Sequence, residues 1–153
     1  VVYTGWGAIC WLHDIRRWTA ITAQFLAPGG FFYIAEPHPS ALPLEQEDGR
    51  LYWRDPWRST PDDPVGYDAP TTYTGDDTVF KNARAYNWNH PLSDILCGLI
   101  EHGLRIDFLH EHETVPWYMF PKMTALGDGM YRLPDGYPRV PLSFSLKASK
   151  PAG

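Results

Sequence analysis

The sequence of 153 residues has little cysteine and no long apolar run. Its two cysteines, Cys10 and Cys97, are too few for a disulfide scaffold and lack the Cys-x-x-Cys or Cys/His spacing of a zinc site, so we interpret them as reduced, buried thiols. No apolar run approaches the roughly 20 residues of a membrane span. The first residues also lack the charged segment and apolar stretch of a signal peptide. These absences predict a cytoplasmic protein with no membrane partner.

Basic charge is sparse as well. The chain has 13 Lys and Arg against 18 Asp and Glu, and the basic residues are scattered along it. A nucleic-acid backbone is bound by clustered cations, so the sequence predicts no nucleic-acid partner. The apolar fraction of 44% and the charged fraction of 20%, at the length of one domain, predict a packed globular fold.

Aromatic residues are abundant, at 15% of the chain, and many lie in a proline-rich segment, residues 39–89. Two short stretches within that segment, residues 50–54 and 83–88, have strand-like composition and predict a β-hairpin or a paired excursion. The segment is too long for a simple connection. We interpret it as an insertion or lid within a single domain of residues 1–153.

The first part of the chain alternates between strand and helix patterns. Residues 1–4 favour a strand that ends at Gly5-Trp6-Gly7, where glycine permits positive φ or close backbone approach. Asp14 is placed to cap a helix, and Pro28-Gly29-Gly30 is typical of a helix end. The apolar run at residues 31–35 is typical of a strand covered on both faces in a parallel sheet.

The last part of the chain adds a helix and two strands. After Pro91, apolar residues recur at helical spacing up to Ile100. Alternating apolar residues then predict strands at 104–108 and 142–148. The whole order is that of the second half of a doubly wound α/β sheet, in which ligands bind beyond the carboxyl ends of the strands. The rim of a site is therefore predicted at residues 5–7 and 36–38.

Four segments together resemble the C-terminal half of the class I S-adenosylmethionine-dependent methyltransferases: "VVYTGWGAICWLHDIRRW", "LAPGGFFYIAEPHP", "HPLSDILCGLIEHGLRIDFLHEHE" and "PLSFSLKA". Leu-x-Pro-Gly-Gly, residues 26–30, is similar to the family's signature before its fifth strand, and the last segment to its antiparallel seventh strand. The resemblance implies a partial Rossmann-like α/β fold, S-adenosylmethionine as cofactor and a small-molecule methyl acceptor. It also implies that Thr4, Gly5, Trp6 and Gly7 border the methionine part of the cofactor. The alternative is that these residues form only a tight βα turn with a buried Trp6.

The sequence departs from the family's pattern at the cofactor motif. It contains no Gly-x-Gly-x-Gly after an apolar strand, and no acidic residue at the end of a second strand to hold the ribose. We therefore expect this chain to be a fragment of a longer methyltransferase that lacks the N-terminal cofactor-binding half. The first strand would then be an exposed edge through which two copies pair as a homodimer. The alternative is a non-catalytic remnant or self-associating module that binds no cofactor.

Glu36 and His38 are the candidate catalytic residues because they end the predicted central strand. Methyl transfer needs a general base only when the acceptor must lose a proton. The unperturbed pKa of His38 suits that role, whereas the pKa of Glu36 would have to be raised by burial. The alternative is that the carboxylate of Glu36 caps a nearby turn.

Aromatic and histidine residues of the insertion are candidates for binding the acceptor. His90 precedes the second helix, so it either caps that helix or projects into the site. Tryptophans and tyrosines of the proline-rich segment either form a lid over the substrate or anchor the segment. The candidate substrate-binding residues are Trp53, Tyr86, Trp88 and His90, and the candidate lid residues are Trp53, Trp57, Tyr67 and Tyr73.

The sequence "HEHE" at residues 110–113 has the histidine spacing of a candidate metal site. On a strand His110 and His112 share one face and are spaced to chelate an ion. A third ligand is not evident nearby, and structural and catalytic metal sites need at least three protein ligands as a rule. We therefore predict no metal.

Overall fold

The computed structural model describes residues 1–71 and 78–153 of the chain. Its helical segments are a short 3₁₀ turn (Ile9–Trp11), α1 (Ile15–Phe25) and α2 (Leu92–Glu101). The strands are β1 (Val2–Gly5), β2 (Phe31–Pro37), β3 (Leu44–Glu47), β4 (Arg50–Trp53), β5 (Val65–Asp68), β6 (Arg84–Asn87), β7 (Arg105–His112), β8 (Thr114–Val115), β9 (Thr124–Ala125), β10 (Tyr131–Arg132) and β11 (Ser143–Ser149).

The main sheet has four strands in the order β1-β2-β11-β7. β1 is parallel to β2, and β11 is antiparallel to both of its neighbours, with Leu146 opposite Ile34 on one side and Leu109 on the other. Because β11 runs against both β2 and β7, those two strands are parallel to each other. The carboxyl ends of β1, β2 and β7 therefore meet at one edge of the sheet, together with the loops that follow them.

The two helices cover one face of this sheet and form the core with it. The Asp14 side chain caps α1 by accepting a hydrogen bond from the backbone N–H of Arg17 at 2.9 Å, as the sequence predicts. α2 packs closely on α1 because Gly98 has no side chain where it meets Thr19. The buried apolar residues of this core are Ile9, Ile15, Ala23, Leu26, Phe32, Ile34, Ile95, Leu99, Leu104, Phe144, Leu146 and Ala148.

The opposite face of the sheet is aromatic and partly exposed. Tyr33 of β2 stacks on Tyr3 with ring centroids 6.0 Å apart and meets the edge of Phe108 at 6.4 Å. Tyr3 is 63% exposed, since β1 is an edge strand of the sheet. The edge position agrees with the sequence prediction, and the pairing of two copies through it stays a prediction.

The described part of the insertion, residues 39–71 and 78–89, contains two separate hairpins. The sequence patterns at 50–54 and 83–88 correspond to β4 and β6, but β4 pairs with β3 and β6 pairs with β5. The predicted strands therefore do not pair with each other. Their true partners escaped the sequence pattern because β3 is mostly polar and β5 contains a glycine. That this segment is an insertion or lid within the domain stays a prediction. One of the candidate lid residues, Tyr73, lies outside the described residues.

The two cysteines differ in exposure. Cys10 is partly buried, and burial raises the pKa of its thiol to about 11. The interpretation of Cys97 as buried is wrong, because its side chain is exposed on α2. Among the helices described for this chain, none is both long and apolar enough to cross a bilayer.

Candidate active site at the carboxyl edge of the sheet

The loop after β1 has an unusual backbone. Trp6 has φ 45° and Gly7 has φ 80°, and a bulky residue at positive φ is a rare, strained conformation found most often at functional sites. The N–H of Trp6 donates to the carbonyl of Ala35 at 2.9 Å, which ties the loop to β2. Among the described residues, no heavy atom outside Gly7 and its two chain neighbours lies within 4 Å of the position that a Cβ of Gly7 would take. The loop thus presents an open surface where the sequence predicts the cofactor.

Glu36 holds this loop in place. Its Oε2 accepts a hydrogen bond from the N–H of Gly7 at 2.7 Å, and its Oε1 accepts one from the N–H of Ala8 at 2.9 Å. Consecutive amides of a positive-φ turn form a concave anion site, which here contains the protein's own carboxylate. Burial raises the pKa of Glu36, and the amides of Ala8, Gly7 and Ile9 lower it in part. These contacts favour the alternative in which Glu36 caps a turn, and a catalytic role for it stays a prediction.

His38 lies at the same edge and is held at both ring nitrogens. Its Nε2 is 2.8 Å from Oε1 of Glu111, and its Nδ1 is 2.7 Å from Oγ of Ser40. The backbone N–H of Ser40 also donates to Nδ1, at 3.2 Å. An amide N–H can only donate, so Nδ1 is the acceptor and Nε2 carries the proton that is donated to Glu111. Burial lowers the pKa of His38, and Glu111 raises it in part.

Sequence reasoning missed the two partners of His38. Glu111 is 73 residues away in the chain, and it reaches His38 only because β11 and β7 follow β2 in the sheet. Ser40 gave no signal beyond its position two residues after His38. The one clue to Glu111 was that it is an acidic residue near the carboxyl end of β7, a strand parallel to β2.

The predicted substrate-binding residues divide into separate places. Trp53 lines a cavity of about 470 Å³, and His38 is also part of its lining. Trp88 and His90 instead line a narrow cleft beside Glu36. Tyr86 is 47% exposed on β6 and is covered by the guanidinium of Arg84, whose Cζ lies 5.6 Å from the ring centroid.

Trp88 and His90 form hydrogen bonds with the segment between β1 and α1. The buried His90 donates from Nε2 to the carbonyl of Leu12 at 2.7 Å, and burial lowers its pKa. The backbone N–H of Trp88 donates to the carbonyl of Cys10 at 2.8 Å. The alternative in which His90 caps α2 is wrong, since Pro91 is the N-cap and no side chain caps it.

The histidines of "HEHE" make local contacts. His110 stacks on Phe108 with centroids 4.5 Å apart, and Nε2 of His112 is 3.0 Å from Oγ of Ser145. Within residues 1–71 and 78–153, no group of three or more His, Cys, Asp and Glu side chains is arranged to hold a metal ion.

Comparison with solved structures identifies the fold. A protein from Listeria monocytogenes, assigned as an S-adenosylmethionine-dependent methyltransferase, is similar over 97% of this chain and 60% of its own, with a TM-score of 0.54 and 14% identity. An S-adenosylmethionine-dependent methyltransferase from Mesorhizobium loti is similar over the same shares, with a TM-score of 0.54 and 17% identity. The chain has the partial fold of a methyltransferase. It spans about 60% of the length of these two methyltransferases, and no family model or curated protein matches its sequence.

The two similar proteins are named for their dependence on S-adenosylmethionine. The loop after β1 of this chain suits one part of that molecule. The open surface at Gly7 and the indole of Trp6, which is 41% exposed, suit the aliphatic chain and sulfonium of the methionine end, because a cation is attracted to an aromatic face. The loop "GWGAICW" contains no acidic residue to hold ribose hydroxyls. Nearby Glu36 already accepts two backbone hydrogen bonds. The loop after β1 therefore offers surfaces that suit the methionine end of the cofactor, and neither this loop nor Glu36 offers a free carboxylate for its ribose.

Proposed function

We propose that this chain takes part in S-adenosylmethionine-dependent methyl transfer to a small-molecule acceptor at the carboxyl edge of its sheet. The observation that carries the proposal is the fold shared with two methyltransferases over 97% of the chain. Support comes from the loops that meet at that edge, since ligands of doubly wound sheets bind beyond the carboxyl ends of the strands.

The proposed roles follow the geometry of the edge. Thr4, Gly5, Trp6 and Gly7 border the methionine end of the cofactor, which when bound supplies a methyl group on a cationic sulfur. Glu36 positions their loop through the amides of Gly7 and Ala8. His38 is the candidate base, because its Nδ1 has a lone pair and its Nε2 is held by a carboxylate. The remaining work is to orient the acceptor and exclude water, which is the main requirement of an in-line displacement.

Titration calorimetry with S-adenosylhomocysteine tests the placement of the cofactor. We expect the 153-residue chain to bind it, and Gly7→Val to weaken binding at least about tenfold, because valine would fill the open surface. Gly127→Val is the matched control: Gly127 has φ 85° and equally open surroundings, but it lies in a different turn, between β9 and β10. Equal affinity for both variants would refute this placement of the cofactor, and no binding at about 1 mM ligand would refute cofactor binding by this chain and favour the alternative in which it binds none.

A second candidate function is self-association through β1. The specific observation is that β1 is an edge strand whose Tyr3 is 63% exposed, and an exposed strand edge is a template for pairing with another copy. We propose a homodimer that Tyr3→Lys dissociates, whereas Tyr118→Lys, at a residue 58% exposed outside the main sheet, does not. Light scattering that gives a monomer mass at every concentration of the unmodified chain would count against it.

A further inference from the structure

The cavity beside His38 is apolar and large enough for a small organic molecule. Its volume of about 470 Å³ lies within the range typical of ligand sites. Trp53 and Trp57 of the insertion line it opposite the start of α2, and these two tryptophans are 57% and 55% exposed. Indole side chains at a cavity wall offer flat faces on which an aromatic ring can stack.

The charged residues near these tryptophans are paired. Arg58 binds Asp94 at 2.5 Å, and its guanidinium Cζ also lies 5.3 Å from the centroid of the Trp57 ring. Arg54, next to Trp53, binds Asp55 at 2.7 Å. Among the described residues that line the cavity, His38 is the one titratable side chain. A neutral ligand suits this environment, because burying a charge without a partner is costly.

Ser40, His38 and Glu111 form a chain of hydrogen bonds that leads from the cavity to the end of β7. Ser40 and His38 both line the cavity, and Ser40 Oγ is within 2.7 Å of His38 Nδ1. Since Nδ1 is an acceptor, the serine hydroxyl donates to it and keeps its own oxygen lone pairs for accepting a hydrogen bond. Glu111 holds the opposite nitrogen at 2.8 Å, which stabilises the ring when it gains a proton.

We propose that the cavity binds the methyl acceptor, a flat neutral aromatic molecule with a ring hydroxyl, and that Ser40 and His38 take the proton of that hydroxyl. In this step the O–H bond of the ligand breaks and its proton passes to Ser40 Oγ. The Ser40 hydroxyl proton passes at the same time to His38 Nδ1. The electron pair remains on the aryl oxygen, which becomes the nucleophile, and the imidazolium pairs with the Glu111 carboxylate. This inference rests on the proposed function.

The test uses 4-nitrophenol with the cofactor-free chain, because the anion of this probe absorbs at a different wavelength from the neutral form. At a pH about one unit below the free probe's pKa, where roughly a tenth of the free probe is ionised, we expect the ionised fraction to rise at least about twofold on binding. His38→Gln should bind the probe without this rise, and Glu111→Gln should reduce it while keeping His38 in place. His110→Gln is the matched control, since His110 lies on β7 outside the cavity lining and should leave the rise intact.

The cavity itself is tested by affinity. Trp57→Ala should weaken binding of 4-nitrophenol at least about fivefold because a stacking face is lost. Trp11→Ala should not change it, since Trp11 is 54% exposed, as Trp57 is, but lies on the 3₁₀ turn outside the cavity lining. Equal affinity in the two variants would overturn the cavity assignment. An ionised fraction that does not rise on binding, or that rises equally in His38→Gln, would overturn the proton relay.

The two proposals fail separately. A chain that binds S-adenosylhomocysteine but not 4-nitrophenol contradicts this inference and leaves the proposed function in place. A chain that ionises bound 4-nitrophenol through His38 but binds no S-adenosylhomocysteine contradicts the proposed function.

Discussion

Replacing Glu36 by glutamine distinguishes its two candidate roles, as an anchor of the loop after β1 and as a catalytic base. Glutamine has the shape of glutamate but only one acceptor oxygen, whereas Glu36 accepts from Gly7 at 2.7 Å and from Ala8 at 2.9 Å. In Glu36→Gln one of these N–H groups would face the side-chain NH₂, a donor against a donor. If Glu36 anchors the loop, the variant loses stability. If it is a catalytic base, the variant loses activity and keeps its stability.

The expected loss follows from the contacts. A hydrogen bond to a charged group contributes about 1.5–3 kcal/mol, and one such bond is lost. Burial raises the pKa of Glu36, so the charged carboxylate is costly to desolvate and its removal offsets part of the loss. We therefore expect Glu36→Gln to lower the free energy of unfolding by about 1.5 kcal/mol, the lower end of the range.

Urea denaturation followed by tryptophan fluorescence measures this loss as a change in midpoint at constant slope. Hydrogen exchange gives a second readout, because the amides of Gly7 and Ala8 should exchange faster when the carboxylate is gone. Glu101→Gln is the matched control, since Glu101 makes an exposed ion pair with Arg16 that is worth about 0–1 kcal/mol. A Glu36→Gln protein within about 0.5 kcal/mol of the parent, with unchanged exchange at both amides, would refute the anchoring role.

Two further predictions concern helix packing and pH. Gly98→Ala should lower the free energy of unfolding by about 1–3 kcal/mol in the same urea assay, because the new Cβ would lie 2.6 Å from Oγ1 of the fully buried Thr19. Alanine stabilises an open helix relative to glycine, so a gain in stability would contradict this packing. Burial lowers the pKa values of His38 and His90 below 6.5, so the unfolded chain binds more protons and stability is lost as pH falls from 6.5 through the folded pKa values. Chemical denaturation at a series of pH values should show this loss, with a shallower dependence in His90→Gln; the same dependence in that variant would show that His90 contributes nothing to it.

Local sequence patterns predicted the main elements because each pattern has one physical cause. Asp14 caps α1 since its side chain reaches the amide of Arg17, and a short polar residue before an apolar stripe signals this contact. The apolar run of β2 reflects a strand buried by neighbours. The strands of the insertion were harder, because β3 and β5 have few apolar residues and are set by their hairpin partners.

The candidate site was predictable only in outline. The sequence placed Gly7, Glu36 and His38 at one edge because the carboxyl ends of parallel strands meet there. It did not predict the separation of Trp53 from His90, since that depends on how the hairpins fold back over the edge. The resemblance to methyltransferases named the right fold, which the solved structures confirm, but a fold does not assign the contacts of individual side chains.

Glu36 and Glu111 show why neighbouring carboxylates at this edge have different tasks. Both lie opposite Phe144 of β11 in the sheet register, so the three side chains form one row across β2, β11 and β7. The carboxylates are on strands about 10 Å apart, with the buried ring of Phe144 between them.

Their exposure decides what each can do. Glu36 is fully buried and bound by backbone amides, whereas the side chain of Glu111 is 53% exposed and bound only through His38 in the described contacts. Glu111 can therefore pair with a protonated His38 without any change in the core. Glu36 could change partner only if the core opened. We expect Glu111→Gln, which keeps an acceptor for His38, to change the free energy of unfolding by less than about 0.5 kcal/mol and to leave exchange at the Gly7 amide unchanged. If it instead destabilises the chain as much as Glu36→Gln, the two carboxylates share one structural role and the division proposed here is wrong.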